Sequence, residues 1–239
     1  MEASVGRSYR AGLVLFGYLV FVKVLLLVAS AASPGFRSPT QAGVFAWWFL
    51  GALLLAGAAA IWLNHWVGLL PLWASTVPLR DRLGWPILLG LVLGAISIGI
   101  DVATGWTKLS AAKMGIPSIH IPWPNSLLIY PGGAIIVDVL YYLIPIPLLL
   151  GGLKLFRWWS GAPPAAAFWA VGAIAAAIEP VTQMSSVPGH PLARWVEFGQ
   201  DYLLNLVQVW SYRRAGWVSA VVLRVAFYLV WHVLWGLLG

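Results

Sequence analysis

Cysteine is absent from the 239 residues, and this removes disulfides, thiolate metal sites and cysteine nucleophiles at once. Charge is nearly as scarce. Only 9% of residues are Asp, Glu, Lys or Arg, whereas soluble domains carry roughly 25%. With 61% hydrophobic residues and a mean hydropathy of +0.87, the chain has too little polar surface to face water. Lipid is therefore the expected solvent for most of it, and an all-α polytopic membrane bundle is the expected fold class. The net charge of +7 does not point to nucleic acid, because Lys and Arg also anchor helix ends on the cytoplasmic side of a membrane. What the chain has in abundance is tryptophan, 16 residues, most of them near the ends of apolar runs where interfacial aromatic belts form.

A membrane helix needs about 20 predominantly apolar residues. Runs of that kind fall at about 11–32, 42–67, 86–104, 132–153, 163–182, 197–212 (short and polar) and 217 to the C-terminus, about seven spans in all. The longest stretch between them, 105–130, holds Lys108, Lys113, His120 and several prolines. The first run is longer than the roughly 7–15 residues of a signal-peptide core and is interrupted by Lys23, so an uncleaved first span is expected. With alternating spans, Arg7, Arg10, Arg80, Arg82, Lys154, Arg157, Arg213 and Arg214 share one side, and Arg37, Lys108, Lys113 and Arg194 the other. The positive-inside rule then places the N-terminus in the cytoplasm and the C-terminus outside, as in a bacterial inner membrane.

Ionisable groups inside a bilayer are costly, and each one marks a candidate site. Asp101, Asp138, Glu179 and Asp201 fall within or at the ends of spans, and the alternation places all four, with His232, toward the outer leaflet. Glu197 sits at the edge of span six. Asp201, Asn205 and Gln208 follow i, i+4, i+7 along one helix face, and Arg224, Tyr228 and His232 repeat the four-residue step. Asp138 and Tyr142 are one turn apart. Such stripes turn inward, because lipid cannot satisfy their hydrogen bonds. Carboxylates, an imidazole and a guanidinium gathered in this way have the chemistry to hold a divalent metal, activate a water, relay protons or bind a polar headgroup. The same residues also serve as interhelical glue, and Asp101 and Asp201 suit helix caps near the interface. His65 and His120 carry no assigned role. Pro131-Gly132-Gly133 is expected to open span four, with Pro145 and Pro147 interrupting it.

The C-terminal half resembles the CPBP family of intramembrane proteins, which includes CAAX prenyl endopeptidases and bacteriocin-processing or immunity proteins. Val137-Asp138-Val139-Leu140-Tyr141-Tyr142 stands where the family has a Glu-Glu pair followed by Arg. The stretch Ala173 to Gln183 stands in place of Phe-x-x-x-His, with Glu179 instead of histidine. Arg213-Arg214-Ala215-Gly216 resembles the family's basic-Gly turn, and Arg224-Val225-Ala226-Phe227-Tyr228 replaces His-x-x-x-Asn. The resemblance implies a four-span core at 131–239 behind three N-terminal spans and a loop at 1–130. In an active member it implies metal-assisted peptide hydrolysis. Asp138, Glu179 and His232 would then be ligands to Zn²⁺ or act in proton transfer, and Arg224 would be their electrostatic partner. Tyr142, Asp201, Asn205 and Tyr228 would support the site or pack helices. Loss of both family histidines implies the alternative, a non-catalytic membrane subunit or scaffold that has kept the bundle. The expected partners are the lipid bilayer and either a membrane peptide substrate or a partner membrane subunit. A proton-coupled carrier is a third reading, but the hydropathy shows no inverted repeat.

Overall fold

The computed structural model describes residues 2–32, 45–156, 159–183 and 191–238. Arg37 and Arg157, counted above in the charge balance, lie outside the described residues. Among the described residues the chain is an all-α bundle without strands. Its helices are α1 (Glu2–Ala32), α2 (Trp47–Trp66), α3 (Arg80–Thr104), the short α4 (Trp106–Met114), α5 (Ser126–Leu155), α6 (Ala165–Gln183), α7 (Pro191–Ala215) and α8 (Trp217–Leu238). Six of them are long and apolar enough to cross a membrane: α1, α2, α3, α5, α6 and α8. Their outward faces carry Val14, Trp48, Leu55, Leu148 and Ile174, all well exposed, as expected where lipid replaces water.

The expected sixth span is α7, a 25-residue helix too polar to count among the apolar six. Gly172 of α6 packs on Val209, and Asn205 reaches the Ala176 carbonyl, so α7 runs antiparallel to α6. Gln208 reaches the Ala220 carbonyl of α8. Thus α7 leads from the far end of α6 back to the start of α8. Its polar residues Asn205, Gln208 and Ser211 are buried in the bundle, away from the apolar surroundings. This is why its mean hydropathy understates its role.

Glycine sets the closest packing. A Cβ on Gly90 would lie 2.3 Å from the Leu223 carbonyl oxygen, and one on Gly94 would lie 2.7 Å from Val230 Cβ. The Gly-x-x-x-Gly step therefore lets α3 and α8 run side by side in the same direction, backbone against backbone. In the antiparallel pair α1 and α2, Gly12 and Gly57 instead make room for side-chain ends, those of Ile61 and Phe16.

Two corrections to the sequence reading follow from α5. It begins at Ser126, earlier than expected, and Pro131 lies inside it near its start. A proline there forfeits a single backbone N–H close to the end. Pro145 and Pro147 interrupt the α-helical pattern as expected, but the span continues past them. A π-turn at Val139–Leu143 widens the coil ahead of Pro145, with the Ile144 N–H donating to the Val139 carbonyl. Residue 130, the expected division between an N-terminal part and a four-span core, lies inside α5. One buried cluster draws on Leu19 and Leu53 as well as Ile135, Leu150, Phe168, Tyr212 and Trp217.

The ends of the bundle differ. At one, Arg214 bonds Asp81, the Lys154 ammonium donates to the Trp66 carbonyl, and Arg82 stacks on Trp73. The start of α1 joins this end, since Ser8 bonds His65 and accepts from the Leu72 N–H. At the other end Trp235 meets Asp101, and His120 meets His232.

Candidate functional site

The site forms because α5, α6, α7 and α8 each turn a polar residue toward Arg224, which is 1% exposed. Its two terminal nitrogens grip Glu179 in a fork, Nη1 to Oε1 at 2.8 Å and Nη2 to Oε2 at 2.7 Å. Nη2 also donates to Asn205 Oδ1 (2.9 Å), Gln208 Oε1 (2.7 Å) and the Tyr142 hydroxyl (3.2 Å), and Nη1 to the Tyr228 hydroxyl (3.3 Å). Nε lies 2.9 Å from Asp138 Oδ1, while its N–H is directed at Gln208 Oε1, 3.1 Å away. Gln208 closes the ring by donating Nε2 to Asp138 Oδ1 at 2.8 Å. The buried Trp217 indole holds the Asp138 carbonyl at 3.1 Å.

Charge counting explains the arrangement. A guanidinium offers five N–H donors in a rigid fork, and here carboxylate, amide and hydroxyl oxygens surround them. One cation faces two carboxylates, so the knot of Arg224, Asp138 and Glu179 carries a formal charge of −1 in a site sealed from solvent. Asp138 Oδ2 has no hydrogen-bond partner among the described residues.

Of the sequence candidates, Asp138, Tyr142, Glu179, Asn205, Arg224 and Tyr228 converge here. His232 does not. It lies two turns further along α8, stacks on Tyr130 (ring centroids 4.2 Å apart) and sets Nδ1 3.2 Å from His120 Nδ1. His120, given no role from sequence, is thus its partner, and burial outweighs nearby Asp101 in holding the His120 imidazole below the ordinary histidine range. No group of three or more His, Asp or Glu suited to a metal occurs among the described residues. Of the expected Zn²⁺ ligands, Asp138 and Glu179 pair with Arg224, and His232 pairs with His120.

The acids also do not share one depth. Asp101 sits level with Trp235 and caps α4, accepting from the Thr107 N–H, the Thr107 hydroxyl and the Trp235 indole, each at 2.7 Å. Arg224 lies 11 residues below Trp235 on α8, roughly 16 Å at 1.5 Å per residue. Asp138 is with it because the early start of α5 carries that residue deeper than a helix opening at 132 would.

Between these levels α3, α4, α6, α7 and α8 enclose a cavity of ≈ 230 Å³. Glu179 and Arg224 form its floor, Glu197 and Asp201 line the α7 side, and Trp106, Phe227, Trp231 and His232 supply aromatic walls. Sequence reasoning placed Asp201 in the polar stripe but gave Glu197 no part. Their four-residue spacing on one helix was the available signal. Comparison with protein-family models, with curated proteins and with solved structures finds no match to this chain.

Proposed function

We propose that this chain is a non-catalytic integral membrane protein, a bundle locked on Arg224 that presents a polar cavity to a ligand or partner subunit. One observation carries this reading: both acids that a hydrolase would need for a metal or a water are engaged by the same guanidinium. A base must be within reach of the proton it abstracts. Asp138 is 0% exposed, and Glu179 is clamped through both oxygens. The positive-inside balance supports a cytoplasmic N-terminus, which puts the cavity on the outer side of a bacterial inner membrane. The alternative, a divergent metal-dependent intramembrane peptidase, is supported by the CPBP-like residue order. It requires Arg224 to release both carboxylates and His232 to leave His120.

The test is zinc content and peptide cleavage of the detergent-purified chain after incubation with Zn²⁺, wild type beside Asp138→Asn. No stoichiometric zinc and no Asp138-dependent cleavage are expected. Stoichiometric zinc in the wild type, lost with its cleavage activity in Asp138→Asn, would overturn the reading.

A further inference from the structure

The cavity above Arg224 has an imbalance that the Arg224 network does not explain. Asp201 makes no hydrogen bond to any described residue. Glu197 Oε2 and Trp106 Nε1 are enclosed atoms without a well-aligned hydrogen bond, and the Trp106 indole N–H is the neutral donor beside the Glu197 carboxylate. All three line the cavity. Two carboxylates one turn apart on α7 therefore share a single neutral donor, the Trp106 indole. Carboxylates away from bulk water are nearly always matched by several donors, so two that share one indole N–H on a cavity wall point to an occupant.

Charge decides which occupant. Among the described residues Arg224 is the only arginine or lysine lining the cavity, and it is already outnumbered by Glu179 and Asp138. Glu197 and Asp201 add two further carboxylates with no cation of their own. Arg194, one turn before Glu197, is exposed and forms no ion pair among the described residues. Carboxylates without a cation in a low-dielectric site take up either a proton or a counter-cation. The remaining wall is aromatic: Trp106 and Trp231 rings stand 6.2 Å apart, with Phe227 and Tyr228 beside them. Aromatic faces attract cations, most of all organic ammonium groups freed of water. A volume of ≈ 230 Å³ also far exceeds the roughly 10–15 Å³ that one water needs.

We infer that this cavity binds a small organic ammonium ion, with Glu197 and Asp201 as its counter-ions and Trp106, Phe227 and Trp231 against its apolar part. The inference rests on the binding reading above and names its ligand class. A metal ion would find the aromatic wall useless, and an anion would be repelled.

The probe is benzylammonium, titrated calorimetrically at pH 7 into the full chain in a non-ionic detergent, whose headgroup competes with no ammonium. Benzyl alcohol serves as the uncharged control. Saturable one-to-one binding is expected, at least about tenfold tighter than the alcohol and weakened at least about tenfold in Glu197→Gln/Asp201→Asn. Asp81→Asn, at the opposite end, should bind as the wild type does. Absence of saturable binding, equal binding of the alcohol, or undiminished binding by a double variant with native thermal unfolding would each sink the ammonium site. Those results leave the Arg224 lock standing, whereas Asp138-dependent zinc uptake would remove the lock and leave the calorimetry unaffected.

Discussion

Two acid-bearing regions lie next to each other in this bundle, and they use the same chemistry in opposite ways. Around Arg224, Asp138 and Glu179 are buried, and each carboxylate meets a guanidinium or amide donor from a neighbouring helix through at least one oxygen. One turn along α7, Asp201 and Glu197 face a cavity and lack partners of that kind. A buried carboxylate therefore does not mark a reactive or binding position by itself. The donors that surround it decide whether it holds helices together or remains available.

The sharpest way to break this comparison is to remove the shared cation. Arg224→Leu leaves two carboxylates buried without a partner, and a loss of about 3–5 kcal/mol is expected, enough to abolish a cooperative unfolding transition in detergent. Arg224→Lys keeps the charge but not the fork, and should fall between that variant and the wild type. Asp138→Asn should cost under about 1.5 kcal/mol, the net worth of one hydrogen bond, because the amide oxygen still accepts from Gln208 while the excess negative charge disappears. If Asp138→Asn proved as damaging as Arg224→Leu, the charge count at the lock would be wrong.

A smaller effect separates the lock from the scaffold that carries it. Gly90→Val drives a side chain into the Leu223 carbonyl, and overpacking of this kind costs about 1–3 kcal/mol. Gly99→Val on the same helix meets open space and should leave the unfolding temperature nearly unchanged. Equal effects would mean that close approach of α3 and α8 does not hold Arg224 in place.

The smallest effect concerns the His120–His232 contact at the cavity's outer end. His120 sits below its ordinary pKa of 6.5 in the fold, so the folded state binds fewer protons than the unfolded one. Its contribution is fully present above pH 6.5 and is lost as pH falls through the folded value. Thermal unfolding of wild type and His120→Gln at pH 7.5 and 5.5 should show the wild type losing more on acidification. Parallel curves would mean that His120 does not report burial at this end.

Much of the fold was legible without coordinates. The apolar runs locate the six lipid-facing helices, because lipid demands about 20 uncharged residues whatever the tertiary packing. The stripes on α7 and α8 correctly pointed inward, and Asn205, Gln208, Arg224 and Tyr228 meet there. Depth and partnership were less accessible. Pro131 read as a helix start and set Asp138 too high. His120, in a connection between helices, gave no sign that it would meet a residue 112 positions away. Gly90-x-x-x-Gly94 was present as a motif, but only packing reveals that α8 is what it admits.

What the sequence determined alone was the solvent and the helices, since both follow from local composition and a fixed rise per residue. It also determined which residues had to turn away from lipid. The tertiary structure decided how those residues were shared: Asp138 and Glu179 went to one arginine, His232 went to His120, and Glu197 and Asp201 were left to a cavity. That division depends on distances of a few ångströms between helices far apart in the chain, and a Coulomb interaction in a dry interior is decided at that range.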